Sequence, residues 1–305
     1  MKNKKTLLLS VLLTLSTLAF GGDKILMCGS GWKSIALLDK DANSLDWSYD
    51  IENAGELNSI CLTKDGNIAV TNKKNLMVLD KKTKSVLWTF DGTGKEEVHS
   101  VSLLDNGNLL VGICGLPARI VELDNSGKIV KNINFDSGSA AIHPQFRQIS
   151  VAGNGNYIVP LYSGKAFLEV NEKGDVVNKV DMPMPLFSAM KLKNGNLLLS
   201  GEGPRANKKQ AQAAPVSNAR IVEYSLKDKK IVRTIDGDSV EGLSVLFACQ
   251  IKELDNGNLL ITNYNGHSKD KTQPKLFEID KNNKLVWKID PSIKANNITG
   301  TYIVK

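Results

Sequence analysis

Histidine, cysteine and aromatic residues are all scarce in this chain, with three His, four Cys and 6% aromatics among 305 residues. None of the histidines stands in an HxxxH pair, so the short ligand spacing of a helical zinc site is absent and no metal site is expected. Cys28, Cys61, Cys114 and Cys249 show no CxxC spacing and no adjacent pair. In an oxidising compartment they could pair in three ways; small buried hydrophobes are the reading we favour. Long apolar runs are lacking too, apart from Leu7 to Phe20, which follows Lys2, Lys4 and Lys5 and ends at Ala19-Phe20-Gly21. That run is too short to span a bilayer and carries small residues at the −3 and −1 positions of a cleavage site. It predicts a secretory signal peptide over residues 1–21, a single mature domain over 22–305 with no membrane span, and a periplasmic or extracellular location. Without its three signal lysines the chain falls from a formal +7 to +4, a mild excess that predicts no nucleic-acid partner.

What the chain does have is a repeat. Leu254-Asp255-Asn256-Gly257-Asn258-Leu259 recurs around Gly107 and Gly195 and, more loosely, around Gly66 and Gly155, at spacings of 41, 48, 40 and 62 residues. Asn-Gly or Asp-Gly between apolar segments predicts a hairpin, with a type I′ turn expected because both its central residues need positive φ. After each turn come a second strand, a loop, a third strand ending in an apolar–acidic pair such as Leu79-Asp80, and a fourth such as Val86 to Asp91. A four-stranded unit at this period predicts an all-β propeller, six-bladed, with seven blades the alternative. The first unit lacks an innermost strand, and Ile298 to Lys305 lacks partners. Pairing the C-terminal strand into the first blade closes the ring and removes an exposed sheet edge.

In such a meander the long loops fall at one end: Gly29–Lys33, Gly112–Ala118, Ser137–Phe146, Gly201–Ala219 and Asn263–Pro274. An elaborated end on a rigid scaffold is where binding sites concentrate. Seven residues before each turn glycine stand Ser59, Ser100, Gln148, Ser188 and Gln250, with Thr301 in the closing strand, a polar ring expected to line the channel and order water. One residue further out stand Asn58, His99, Arg147, Phe187, Cys249 and Gly300, all different, which points to an asymmetric ligand. His99 is the candidate nucleophile or base and Arg147 the candidate anion anchor. Trp32, Tyr162, Arg205, Tyr264 and His267 join them from the loops, and cations among these aromatics suit an anion or a saccharide. His143 and His267 lie on the same face as His99. The loop from Gly203 to Ala219 reads as a lid or an unstructured insertion.

The acidic turn followed by Trp, from Asp39 to Trp47, Asp80 to Trp88 and Asp280 to Trp287, resembles the repeat of the pyrroloquinoline-quinone-type propellers. There the Trp docks neighbouring blades, and three units here carry Lys131, Asn178 or Arg233 instead. The resemblance implies architecture and not chemistry. The quinone enzymes of that family have eight blades and a vicinal disulfide, which this chain lacks, so no cofactor is expected and pyrroloquinoline quinone least of all. Val98 to Asn108 also resembles a segment of bacterial arylsulfotransferases, which implies a sulfuryl-carrying role for His99. The leading expectation is an exported module that binds a small molecule, glycan or protein on its loop-rich face without chemistry. A His99 enzyme, sulfotransferase or lyase, and an assembly scaffold are the alternatives.

Overall fold

The structure, a computed structural model, describes residues 23–52, 54–203, 218–266 and 272–304. Its 24 strands, β1 to β24 in chain order, form six antiparallel sheets of four, the blades of a β-propeller. The innermost strands are β24 (Ile298–Val304), β4 (Ile60–Leu62), β8 (Glu97–Leu103), β12 (Ser150–Val151), β16 (Leu186–Lys191) and β20 (Ala248–Glu253). β24 pairs with β1 (Lys24–Gly29) in the register Met27 to Thr301, so the tail of the chain completes the first blade.

Alternation along each strand explains why the middle strands read as continuous apolar runs. Leu26 and Cys28 face the second blade, packing with Ile60, Ile68 and Val70, whereas Ile25 and Met27 face the sixth, packing with Leu260 and Leu276. Both faces of every blade are buried, and six such clusters alternate with the blades around the ring. Each fully buried Leu or Ile contributes about 1.5–3 kcal/mol, so closing the ring at the Ile25–Leu260 face is strongly favoured. All four cysteines are free thiols buried among these packed residues.

The turns differ from expectation in an instructive way. At Gly107, Gly195 and Gly257 only the turn glycine has positive φ, +87°, +87° and +81°, whereas in the 153–155 turn both Gly153 (+90°) and Gly155 (+87°) do. The first three are a type I turn followed by a left-handed glycine, and not type I′, and in all four the asparagine keeps negative φ. The asparagine stays right-handed because its side chain is in use. Asn106 Oδ1 accepts the Asn108 N–H, and both Asn106 and Asn108 donate Nδ2 to Glu122 Oε1 on the third strand. The same clamp joins Asn154 and Asn156 to Glu169, Asn194 and Asn196 to Glu223, and Asn256 and Asn258 to Glu278.

In five of the six blades the residue at the fourth-strand Trp slot docks on the next blade's outer turn. Trp88 packs on Gly127, Trp47 lies 4.1 Å under Lys84 Nζ, and Trp287 Nε1 donates to the Lys40 carbonyl at 3.1 Å. Lys131 and Arg233 make the same connection by polar means, to Glu172 at 2.5 Å and to Asn283 at 2.6 Å.

Candidate ligand-binding site

The channel holds two stacked polar layers. Ser59, Ser100, Gln148, Ser188 and Gln250 line an inner cavity of about 170 Å³. Their side chains stitch blade to blade: Ser59 Oγ donates to the Val101 carbonyl, Ser100 Oγ accepts the Ile149 N–H, and Thr301 Oγ1 donates to Gln250 Oε1 at 2.8 Å. Gln148 Nε2 crosses the channel to the carbonyls of Asn58 and Thr299, 3.0 Å each.

One residue outward, β8, β16 and β20 each carry a bulge. Val98 pairs with Ile113 and Ser100 with Gly112, leaving His99 outside the ladder; Phe187 and Cys249 are skipped in the same way. A bulge re-aims a side chain, and here it turns three inner-strand residues toward the channel mouth. The first blade contributes no side chain at this slot, because a Cβ on Gly300 would lie 2.9 Å from Cys28 Sγ.

The mouth is a cavity of about 320 Å³ on the loop-rich face. One side is a chain of hydrogen bonds. Asn58 Nδ2 donates to His99 Nδ1 (2.8 Å), His99 Nε2 donates to Glu97 Oε2 (2.8 Å), His143 Nδ1 donates to the same oxygen (2.7 Å), and Arg147 Nη2 donates to His143 Nε2 (3.2 Å). Arg147 is anchored through Nη1 on the His143 and Phe146 carbonyls, while Lys73 Nζ pairs with Glu97 Oε1 at 3.3 Å. The two ends of the chain are open. Asn58 Oδ1 and Arg147 Nε are buried without a hydrogen-bond partner, and both residues line the cavity. A buried polar atom left unpaired costs about 1–3 kcal/mol, so this layer carries one unmet acceptor and one unmet donor.

The opposite side is aromatic. Tyr162 stacks on Phe247 with centroids 6.0 Å apart, Phe187 and Tyr264 meet Phe247 edge-on, and Arg147 Cζ lies 5.9 Å from the Tyr162 and Phe187 rings. Tyr162 donates its hydroxyl to Glu202, and Glu56 completes the lining. Three carboxylates, Glu56, Glu97 and Glu202, thus stand against Arg147 and Lys73.

Burial, reinforced by the Arg147 charge and only partly offset by Glu97, drives the His99 pKa down to about 3, so this imidazole is neutral at pH 7. Burial alone would lift Glu97, but the hydrogen bonds from both histidines outweigh it and hold the carboxyl below its ordinary range. Glu97, His99 and His143 bring three ligating atoms within 4.8 Å of one another. Both ring nitrogens already share one carboxylate oxygen, however, and two cations flank it, so a dication would have to break both bonds against their charge.

The residues selected from sequence divide into groups. Asn58, Arg147, Cys249, Tyr162 and Tyr264 line the mouth; Ser59, Ser100, Gln148, Ser188 and Gln250 line the inner layer. His99 is fully buried with both nitrogens engaged, and the histidine facing the cavity is His143. Trp32 packs against the core between the sixth and first blades. Arg205, His267 and the lid expected at Gly203–Ala219 lie outside the described residues, the first two wholly and the lid for 204–217. Sequence reading left His99 without an acid, and Glu97, two positions earlier on the same strand, is that acid. Glu56, Glu202 and Phe247 had no repeat slot to reveal them.

Six blades of four antiparallel strands, closed by the C-terminal strand, place this protein in the class of β-propellers. Within that class, residues 24–284 match the Mal s 1 allergenic protein-like family, and the chain belongs to it. A protein of unknown function from Bacteroides caccae is 30% identical over 93% of this chain and 99% of its own, with a TM-score of 0.84. Virginiamycin B lyase from Staphylococcus aureus, in a catalytically inactive variant with quinupristin, shares the fold at 13% identity over 93% of this chain and 89% of its own, with a TM-score of 0.58. A functionally unknown protein from Desulfotomaculum acetoxidans does so at 13% over 92% and 98%, with a TM-score of 0.57. No curated protein matches the chain.

Proposed function

We propose that this chain is an exported binding module whose channel-mouth pocket takes a compact ring-shaped ligand of the saccharide class. The observation that carries the reading is the pair of unmet polar atoms, Asn58 Oδ1 and Arg147 Nε, on two residues that line one cavity with Tyr162, Phe187, Phe247 and Tyr264. A sugar hydroxyl donates to the first and accepts from the second, and the apolar face of the ring stacks on Tyr162 and Tyr264. Among the alternatives raised by the sequence, a strongly anionic ligand is less well supported, because among the described residues Glu56 lines the mouth with Arg147, while Glu97 pairs with Lys73 and Glu202 bonds Tyr162 beside it. Export rests on Lys2, Lys4, Lys5 and the apolar run to Phe20, which lie outside the described residues; among the described residues no helix is long and apolar enough to cross a membrane.

The test is calorimetric titration with glucose, galactose, N-acetylglucosamine and glucuronate. At least one neutral sugar should bind, glucuronate more weakly than it, and Arg147→Met should lose about tenfold in affinity through the unmet acceptor. Absence of binding by every neutral sugar, or preference for glucuronate, overturns the assignment.

A further inference from the structure

We propose that His143 is a general base acting on a carbon acid bound in the channel mouth, with Glu97 and His99 as the positioning residues that aim it. The inference rests on the mouth being a ligand pocket, as argued above, and not on the ligand being a saccharide. His143 comes from the long loop 137–146, its side chain is 48% exposed, and it lines the cavity. Because Nδ1 gives its hydrogen to Glu97, the lone pair must sit on Nε2. The contact from Arg147 Nη2 to that nitrogen, at 3.2 Å, requires the same tautomer and is long enough to be exchanged for a substrate proton. Glu56 Oε2 lies 4.0 Å from Nε2 on the other side, where it can stabilise the imidazolium once formed.

The carboxylate behind His143 is unusually well fixed. His99 bonds Oε2 from a fully buried position, and Lys73 holds Oε1. His99 is itself held by Asn58, so its role is to lock Glu97 and not to touch substrate. An acid that orients a histidine, and a histidine that faces a pocket, make a base dyad recognised by geometry and not by spacing in the chain. Arg147 supplies the remaining part, since it lines the same cavity and its Nε–H is a donor with no partner, available to the negative charge that develops on a carbonyl or equivalent acceptor.

The reaction class is elimination. The C–H bond beside the acceptor group breaks, its proton passes to His143 Nε2, and the electron pair forms the new double bond. The bond to the leaving oxygen or nitrogen breaks with its own pair, and that atom takes the proton back from His143. No oxidant or metal is required.

The base can be tested without the natural substrate by using 5-nitrobenzisoxazole. Loss of its ring C–H proton to His143 breaks the N–O bond and releases a coloured nitrile phenolate, and its flat ring suits the wall of Tyr162 and Phe247. Full-length mature protein should catalyse this with saturation, and His143→Gln should lower kcat by about a hundredfold while keeping the wild-type melting curve. Glu97→Gln should lower kcat and displace the pH–rate profile, a change that a purely structural role would not produce. No saturable catalysis by the wild type, equal rates for wild type and H143Q, or loss of activity with a chelator overturns the proposal, the last in favour of a metal on the Glu97, His99 and His143 cluster. Sugar titrations read the other assignment separately: elimination without sugar binding sinks only the saccharide reading, and sugar binding without elimination sinks only the base.

Discussion

The two layers of the channel are one residue apart on the same strands, yet they are built on opposite terms. The inner layer repeats small or amide side chains, and all but Ser188, which bonds Ser200 in its own blade, reach neighbouring blades or cross the channel: Ser59 to Val101, Ser100 to Ile149, Gln148 to Asn58 and Thr299, Gln250 to Thr301. The outer layer sets Asn58, His99, Arg147, Phe187 and Cys249 side by side and leaves two buried polar atoms unpaired. Uniform and satisfied polar groups hold a ring together; unlike and unsatisfied ones are what the proposed ligand would complete.

The comparison predicts that damage to the inner layer is read in stability and damage to the outer layer in binding. The largest stability loss should come from Gln148→Leu, which strands the carbonyls of Asn58 and Thr299 in the channel. About 2–4 kcal/mol is expected in urea unfolding, with sugar affinity in the surviving fold changed far less than by R147M. Equal losses of stability from Q148L and R147M would erase the distinction between the layers.

Acid should distinguish them next. His99 is neutral in the folded protein, with its pKa lowered from 6.5 to about 3, so between those values the unfolded chain binds a proton that the folded one refuses. Stability therefore rises with pH across that window and is lost on acidification, with a slope of up to about 1.4 kcal/mol per pH unit from this group. Glu97 adds to the same trend lower down, because its depressed pKa contributes stability that disappears as the carboxylate is protonated. His99→Asn should flatten the pH 4–6 part of the curve, while an inner-layer change such as Ser188→Ala should leave its slope intact. Urea midpoints at half-unit pH steps decide this.

A smaller effect concerns the thiols. Cys28, Cys61 and Cys114 sit in the cores between blades, and Cys249 lines the mouth, yet burial raises the pKa of all four. None should react with an aromatic disulfide reagent in the folded state, and all four should react once urea unfolds the chain. Selective labelling of Cys249 would show that the mouth is more open than its packed aromatic wall implies.

Much of this is legible in the sequence, for reasons that can be located. The Gly107, Gly195 and Gly257 turns recur because a left-handed residue is needed at each, and counting back from them reaches the channel, since β-strands keep register. The turn type is not legible there, because the asparagine side chains, and not their backbones, carry the constraint, through Glu122, Glu169, Glu223 and Glu278. His143 and Phe247 escaped the counting because one lies in an irregular loop and the other just before a bulged strand, where periodicity carries no information. His99 looked catalytic because it titrates near neutrality in isolation, a property that burial removes.

The outer rim of the propeller offers the mildest version of the same contrast. Where Trp88 packs on Gly127, the docking slot removes an aromatic surface from water, but where Lys131 meets Glu172 it joins two partly exposed charges, 35% and 62% accessible. Such a pair is worth about 0–1 kcal/mol because water and salt screen it, so Lys131→Ala should change the urea midpoint little and less still at high salt. Trp88→Ala should cost several times more and show no salt dependence. If K131A proved as damaging as W88A, the slot would act by fixing the geometry of the next blade's turn, and its variation among blades would be a difference in chemistry without a difference in strength.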